Sequence, residues 1–316
     1  MMTNKFAYVF PGQGSQQIGM GQDVANTYPE AAAIFAEADQ ILDFPLSQLC
    51  WTGSETDLND TYNTQPALFV TSLAVLAALQ AAGYTREPAC LAGHSLGEYA
   101  AYVAAGVLSF EDGLILVRKR GQLMKKAGEI NPGKMAAILA LDDDRVADIC
   151  RQASAEVDWV QVANYNCPGQ IVISGSEAGI DRAIELAKSA GARRAQKLAV
   201  SIAAHSKLMA VIQAEFSAAV ETVSLGPPAI PLIANNTAQP LKTIADIKTE
   251  MVDQLTSSLL WTGSIQTMCH QGITHFIEVG SKNVLSGMIK RIDRKAARTV
   301  IENSADINKL MQAEAG

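Results

Sequence analysis

A serine between two glycines is the residue of this 316-residue chain best suited to nucleophilic chemistry. It lies in the motif Gly93-x-Ser95-x-Gly97, after a short apolar stretch and before a helix-forming run that reaches Ala105. At a strand-to-helix elbow the serine backbone is strained, and small neighbours let the two elements approach closely. The helix N-terminus then favours a developing oxyanion. This context predicts a nucleophile, although a glycine-flanked helix cap can have the same sequence motif.

A serine nucleophile needs a base, and the chain has four histidines. His94 adjoins the serine and should point elsewhere on an elbow. His270 falls in a helical pattern and His275 opens an apolar strand, so both fit surface or packing roles. His205 lies in a loop before a helix that begins near Lys207. We predict His205 as the base, with helix capping as the open alternative.

An arginine lies on the apolar face of a predicted helix. Ser109 and Asp112 resemble a capping box that starts this helix. Its apolar stripe consists of Leu116, Val117, Leu123 and Met124. Arg120 falls on that stripe, so its guanidinium either extends to solvent or pairs with an anion, for which a carboxylate fits best. The residue types leave both alternatives open.

The segment Phe10-Pro-Gly-Gln-Gly-Ser-Gln follows the first predicted strand and is too rich in glycine for a helix start. It has neither GxGxxG nor the lysine of a P-loop, which argues against dinucleotides and nucleoside triphosphates. A loop after a parallel strand, at the same sheet edge as the serine elbow, can donate a backbone N–H to an oxyanion.

Composition excludes several functional classes. With a net charge of -7 and a pI near 5.2, the chain lacks the basic surface that nucleic acid requires. No signal-like segment and no run of about 18 apolar residues occurs, which predicts a cytoplasmic protein without a membrane partner. The cysteines have no CxxC pair, and the histidines lack zinc-site spacing, so we expect no disulfide framework, metal or cofactor.

Apolar runs at residues 6–10, 89–92 and 275–279 alternate with helical patterns, which predicts an α/β fold with a mainly parallel sheet. From residue 135 the pattern changes to βαββαβ, the order of a ferredoxin-like subdomain. The predicted strands and helices of this segment are Met135–Leu141, Asp142–Ala155, Val160–Asn166, Gln170–Ser174, Ser176–Ala190 and Arg194–Val200. We therefore predict a ferredoxin-like subdomain at 134–200, inserted into a large α/β-hydrolase-like domain at 1–133 and 201–316.

Seven short motifs resemble, in order, those of the malonyl-CoA:acyl carrier protein transacylase family, and the similarity extends over nearly the whole chain. They are Phe10-Pro-Gly-Gln-Gly-Ser-Gln, Thr64-Gln-Pro-Ala, Gly93-His-Ser-Leu-Gly-Glu-Tyr, Lys119-Arg-Gly, Asn164-Tyr-Asn-Cys-Pro-Gly-Gln, Ala204-His-Ser and Glu278-Val-Gly. The combination is far more specific than any single motif.

The resemblance implies a role for each matching residue. Ser95 would accept the acyl group, His205 would be the base, and Arg120 would bind the malonyl carboxylate. The backbone N–H groups of Gln13 and Leu96 would form the oxyanion hole. In this family a backbone carbonyl, here that of Gln254, orients the histidine in place of a carboxylate. Matching positions near the site are Gln65 and Asn166.

The resemblance also implies malonyl-CoA and an acyl carrier protein as partners, in fatty acid or polyketide synthesis, and we expect a monomer. One departure is Ala204, because malonyl-selective members usually carry Phe or Ser there; it predicts wider space beside the acyl group, while Leu96 still favours malonyl. The strongest alternative is a hydrolase of the same architecture that clears acyl groups from carrier proteins. A non-catalytic scaffold for carrier protein is the other.

Overall fold

The computed structural model describes residues 5–200 and 202–315, in which strands and helices alternate. The strands are β1 Lys5–Phe10, β2 Cys90–Gly93, β3 Gly133–Leu139, β4 Val160–Cys167, β5 Gln170–Ser176, β6 Arg194–Lys197, β7 Leu232–Ile233, β8 Pro240–Leu241, β9 Ile273–Val279 and β10 Ala297–Ile301. The helices are α1 Gln22–Thr27, α2 Pro29–Leu42, α3 Leu46–Thr52, α4 Glu55–Asn59, α5 Thr61–Ala81, α6 Gly97–Ala104, α7 Phe110–Ile130, α8 Asp143–Ala153, α9 Glu177–Ser189, α10 Ala210–Val220, α11 Ile244–Asp253, α12 Trp261–His270, α13 Val284–Ile292 and α14 Ser304–Ala315.

The larger sheet has six strands in the order β10-β9-β1-β2-β7-β8. All neighbouring pairs are parallel except β7 with β8, so the predicted α/β fold with a mainly parallel sheet is confirmed. In the register of β1 and β2, Phe10 pairs with Gly93. Because parallel strands end at the same sheet edge, the loops after these two strands lie side by side.

Helices cover both faces of this sheet. Along β1, Phe6, Tyr8 and Phe10 pack into one core, whereas Ala7 and Val9 pack into another that also contains side chains of α12 and α13. This alternation follows from the two-residue period of a strand. The helix α5 is long and apolar enough to cross a membrane, but 83% of its most apolar window is buried inside the protein, as is typical of a core helix.

The second sheet is antiparallel, with the order β4-β5-β3-β6, and has its own apolar core beneath α8 and α9. Its elements follow one another as strand, helix, strand, strand, helix, strand, which is the order expected from the sequence. The strand predicted to reach Val200 ends at Lys197, and only one further backbone bond to β3 follows, from the Leu198 N–H to the Met135 carbonyl at 2.8 Å. The predicted boundary at Ser201 lies outside the described residues.

The strand β4 connects the two sheets. The Tyr165 N–H donates to the Leu259 carbonyl at 2.9 Å, and the Leu259 N–H donates to the Ala163 carbonyl at 2.8 Å. Leu259 belongs to the segment between α11 and α12, which pack with the larger sheet. These backbone bonds bring the C-terminal end of β4, with Asn166, towards the loops of the larger sheet.

Candidate active site

The predicted elbow forms between β2 and α6. Ser95 has a φ of 53°, a left-handed conformation that a side chain makes costly. A Cβ atom on Gly93 would lie 1.9 Å from the Gly97 carbonyl carbon, and one on Gly97 would lie 2.1 Å from the Phe10 oxygen. Both glycines are therefore required by close backbone approach, and the elbow holds the Ser95 side chain at the sheet edge.

The structure brings Ser95 and His205 together from 110 residues apart in the chain. The Nε2 atom of His205 lies 2.8 Å from Ser95 Oγ, and its Nδ1 atom lies 2.8 Å from the Gln254 carbonyl oxygen. A carbonyl only accepts hydrogen bonds, so Nδ1 carries the proton and Nε2 presents a lone pair to the serine hydroxyl. This arrangement suits a general base.

The environment of His205 keeps its imidazole neutral. Burial, followed by the nearby Arg120 cation, lowers the pKa of His205 to about 3, although the hydrogen bond to Gln254 opposes this shift. The residue is only 3% exposed. A neutral imidazole is the form that accepts a proton from serine.

Arg120 is buried rather than extended to solvent, with 1% of its surface exposed. Its Nη1 atom donates to Gln65 Oε1 at 2.8 Å, and its Nη2 atom donates to Gln254 Oε1 at 2.8 Å and to Ser95 Oγ at 3.2 Å. All three acceptors are neutral. Within residues 5–200 and 202–315 none of the acceptors of its guanidinium is a carboxylate, and its Nε atom has no hydrogen-bond partner. A buried cation of this kind favours a bound anion.

The loop after β1 lies against the elbow, where the His94 N–H donates to the Phe10 carbonyl at 3.0 Å. The Ser95 N–H is occupied, because it donates to Asn235 Oδ1 at 2.7 Å. For the backbone N–H groups of Gln13 and Leu96, the described part of the chain provides no acceptor. These two groups are therefore free to bind an oxyanion.

The remaining predicted positions also lie around the serine. The Oδ1 atom of Asn166 lies 2.9 Å from His94 Nε2, so His94 points away from the nucleophile, as expected. Gln65 contacts Arg120 on one side and donates to the Met124 sulfur on the other. Ala204 is buried in the main core beside the histidine.

Sequence reasoning missed Asn235, Glu98 and Glu250. Asn235 follows β7, the parallel neighbour of β2, and its amide reaches both Ser95 and Glu98. An Asn directly after a short apolar run was the available signal. Glu98 and Glu250 are almost fully buried, and both accept from the Asn235 N–H at 3.0 Å. An acidic residue in the first turn of a helix ordinarily suggests dipole stabilisation at the surface, so the buried position of Glu98 was not predicted.

The other histidines have separate partners. His275 Nε2 lies 2.8 Å from Thr299 Oγ1 on the neighbouring strand, and His270 ends α12. Within the described ranges, no three His, Cys, Asp or Glu side chains are grouped to hold a metal ion.

The fold and the paired Ser95 and His205 define a class of protein with the means to form an acyl-serine intermediate on an α/β scaffold. The acyl transferase domain family matches residues 7–306, and the chain belongs to this family. It is 44% identical to a malonyl CoA-acyl carrier protein transacylase of Staphylococcus aureus over 304 residues, 96% of this chain and 97% of the relative.

Solved structures show the same similarity. The malonyl-CoA:acyl carrier protein transacylase of Xanthomonas oryzae has a TM-score of 0.94 and 42% identity, with 99% of each chain covered. A malonyl-transacylase solved in complex with its type II polyketide acyl carrier protein has a TM-score of 0.94 and 36% identity, covering 98% of this chain and 99% of that one. The second antiparallel sheet is thus a shared feature of the fold.

Proposed function

We propose that this chain transfers a malonyl group from malonyl-CoA to the phosphopantetheine thiol of an acyl carrier protein, in fatty acid or polyketide synthesis. The observation that carries the proposal is the position of Ser95 Oγ, 2.8 Å from a neutral histidine nitrogen and 3.2 Å from a buried arginine. The histidine supplies the base for acyl transfer, and the arginine supplies a site for the carboxylate that distinguishes malonyl from acetyl.

The first half-reaction loads the serine. His205 Nε2 takes the proton from Ser95 Oγ as the oxygen attacks the thioester carbonyl carbon. The Gln13 and Leu96 N–H groups stabilise the negative oxygen of the tetrahedral intermediate. The carbon–sulfur bond then breaks, and the imidazolium returns its proton to the CoA sulfur. The products are free CoA and a malonyl ester on Ser95.

The second half-reaction reverses the first with a different thiol. His205 removes the proton from the phosphopantetheine thiol, whose sulfur attacks the ester carbonyl carbon. The carbon–oxygen bond breaks, and the histidine returns the proton to Ser95. Because CoA leaves before the carrier protein reacts, the kinetics are ping-pong.

Arg120 gives the site its preference for a carboxylated acyl group. A malonyl carboxylate would bind the Arg120 guanidinium, whose hydrogen-bond acceptors among the described residues are all neutral. An acetyl group leaves the buried cation without an anion, which costs about 2 kcal/mol or more in relative transfer. Because Ala204 is smaller than the Phe or Ser usual before the histidine, we expect it to leave more room beside the acyl group for a substituted malonyl group.

The carrier protein meets a basic surface at the end of α13. A cavity of about 520 Å³ is lined by Pro168, Lys290, Arg291 and Arg294. The Arg291 guanidinium is fixed there by the Pro168 carbonyl at 2.6 Å and Gln170 Oε1 at 2.8 Å. Three cations on one surface complement the acidic surface that we expect of the carrier. By contrast, Lys188 and Lys197 are paired with neighbouring carboxylates.

The chain combines a catalytic domain with an inserted subdomain. Residues 134–200 form a ferredoxin-like subdomain inserted into an α/β-hydrolase-like catalytic domain at 1–133 and 201–316, consistent with the separate core of the second sheet. We expect the enzyme to work as a cytoplasmic monomer. We also expect it to need no metal or cofactor, because the serine, histidine and arginine supply all of the chemistry described above. Its partners include neither nucleic acid nor a membrane.

The fate of the acyl group tests the proposal against a hydrolase. The protein is incubated with malonyl-CoA, its intact mass is measured, and carrier protein bearing phosphopantetheine is then added. We expect a malonyl adduct that persists until the carrier is added and then moves to the carrier. Rapid loss of the adduct to water would favour the hydrolase, and no adduct would favour a non-catalytic scaffold.

A further inference from the structure

A buried carboxylate that lies behind the nucleophile is joined to the site by two side-chain amides. Glu98 is the second residue of α6 and is 1% exposed. Its Oε1 atom accepts from the Asn235 N–H at 3.0 Å and from Asn235 Nδ2 at 2.9 Å, and its Oε2 atom accepts from Gln254 Nε2 at 2.5 Å. Both oxygens therefore accept hydrogen bonds, while burial and the neighbouring Glu250 carboxyl group raise the pKa of Glu98 well above its usual value.

Glu98 helps to determine which way each amide faces. The NH₂ group of Asn235 donates to Glu98 and to the Gly93 carbonyl at 2.7 Å. The NH₂ group of Gln254 donates to Glu98 and, at 3.2 Å, to the Ser95 carbonyl, so the oxygen of each amide faces the site. Asn235 Oδ1 accepts from the Ser95 N–H at 2.7 Å, and Gln254 Oε1 accepts from Arg120 Nη2 at 2.8 Å. Glu98, together with these two backbone carbonyls, thus orients the contacts to both the nucleophile backbone and the arginine.

We propose that Glu98 is a positioning residue that fixes Arg120 for the malonyl carboxylate by holding the Gln254 amide in one orientation. The inference rests on the proposed function. It also explains how a buried arginine stays without an ion pair in the described structure, since Gln254 links the guanidinium to the Glu98 carboxyl group and keeps the two from direct contact. Direct contact with Glu98 would block the substrate, whereas the amide leaves the guanidinium available.

The substitution Glu98→Gln tests this positioning. A glutamine retains an oxygen for the two Asn235 donors but presents an NH₂ group to Gln254, which must then turn its own oxygen towards residue 98. The turned amide presents its NH₂ group to Arg120, so two donors face each other. We expect the ratio of malonyl to acetyl loading of Ser95 to fall by about tenfold or more, the loss typical of one hydrogen bond to a charged group.

A matched control is Glu278→Gln, since Glu278 is equally buried but accepts from the Leu285 and Ser286 N–H groups at the start of α13. Single-turnover loading from malonyl-CoA and from acetyl-CoA is measured by intact mass. A fall of the ratio in Glu98→Gln and not in Glu278→Gln supports the inference. An unchanged ratio in a folded Glu98→Gln overturns it. A merely structural role would slow both acyl groups equally.

A second variant applies if Glu98→Gln does not fold. Gln254→Met removes the amide and keeps the backbone carbonyl that binds His205, so the same fall of the ratio is expected, and an unchanged ratio contradicts the inference. In an Arg120→Ala background, Glu98→Gln should leave the ratio unaltered. Wild-type protein that fails to load from malonyl-CoA would refute the proposed function itself, whereas loading with an unchanged Glu98→Gln ratio refutes only the role of Glu98.

Discussion

His205 Nε2 lies 2.8 Å from Ser95 Oγ, and both residues have left-handed backbone conformations, with φ values of 56° and 53°. Neither is a glycine, so each conformation costs about 1–3 kcal/mol, which the surrounding structure must offset. The Asn235 amide holds the Ser95 N–H, and the Gln254 carbonyl holds the His205 ring. Strain at both members of the pair is consistent with a preorganised catalytic contact.

The low pKa of His205 predicts an unusual pH profile for serine loading. Burial and the Arg120 cation keep the imidazole neutral down to about pH 3, instead of the ordinary 6.5. Single-turnover loading from malonyl-CoA should therefore stay level between about pH 5 and pH 8, a range that includes the ordinary histidine pKa. A decline of the rate centred near the ordinary value would show that the base titrates normally and would contradict this account.

The lowered pKa of His205 also predicts how the stability of the protein depends on pH. The unfolded chain binds a proton on this histidine below pH 6.5, whereas the folded protein does so only near pH 3. The free energy of unfolding should therefore decrease as the pH falls through this window. His205→Gln should weaken that decrease in urea unfolding at pH 7 and pH 5, and an identical decrease in both proteins would rule out the contribution of His205.

Removal of Arg120 should change which acyl group is transferred. Arg120→Ala should lower malonyl loading and raise acetyl loading relative to it, with the ratio changing by roughly 30-fold, equivalent to about 2 kcal/mol. Arg118→Ala is a matched control, because Arg118 belongs to the same helix but contacts the Tyr62 carbonyl and Asn63. Rates from the two CoA thioesters give the ratio. Equal ratios in the wild type and Arg120→Ala would exclude a carboxylate site at Arg120.

The sequence alone predicted the site residues whose type and spacing are both distinctive. The Gly93 and Gly97 flanks predicted the elbow because close backbone approach permits no side chain there. Arg120 remained ambiguous, since an arginine on an apolar stripe either extends to solvent or is buried, and only the packing of α7 against α5 and α10 decides between them. The structure shows that it is buried.

Other parts of the site could not be predicted from residue patterns. Every residue has a backbone carbonyl, so only the family resemblance pointed to Gln254, which is 49 residues from the histidine that it contacts. The functional contacts of Asn235 depend on β7 lying beside β2, a neighbour relation of strands that are far apart in the chain. The end of β6 was misplaced because strand length at a sheet edge depends on its partner.

Glu250, which lies with Glu98 behind Ser95, predicts a substitution whose effect on stability depends on pH. Burial raises the pKa of Glu250 to about 7, so between pH 4.5 and about 7 the folded protein retains a proton that the unfolded chain releases. Stability from this group is therefore lost as the pH rises through that window. Glutamine does not ionise. Between pH 5 and pH 8 the free energy of unfolding of Glu250→Gln should therefore rise by more than about 1 kcal/mol relative to that of the wild type.

Urea unfolding of both proteins at the two pH values measures this difference. The control is Glu37→Gln, which changes an exposed glutamate of α2. A pH-independent difference between the wild type and Glu250→Gln would indicate that this carboxyl group titrates like an exposed one.

The basic surface on α13 predicts a selective defect in carrier recognition. Lys290→Glu should raise the KM for carrier protein by about tenfold, because it places a like charge against an acidic partner, while loading from malonyl-CoA stays unchanged. Lys188→Glu on α9, where Lys188 already pairs with Glu185, should have a much smaller effect. Steady-state transfer with varied carrier concentration distinguishes them, and equal KM values for Lys290→Glu and wild type would exclude this surface.

The position of the malonyl ester tests the central claim most directly. The protein is mixed with malonyl-CoA, quenched in acid within one turnover and digested, and the modified peptide is sequenced by tandem mass spectrometry. The account predicts malonyl on Ser95 alone, its absence from Ser95→Ala, and its disappearance when carrier protein is added before the quench. Malonyl on another residue, or transfer to the carrier at the wild-type rate by Ser95→Ala, would contradict the account.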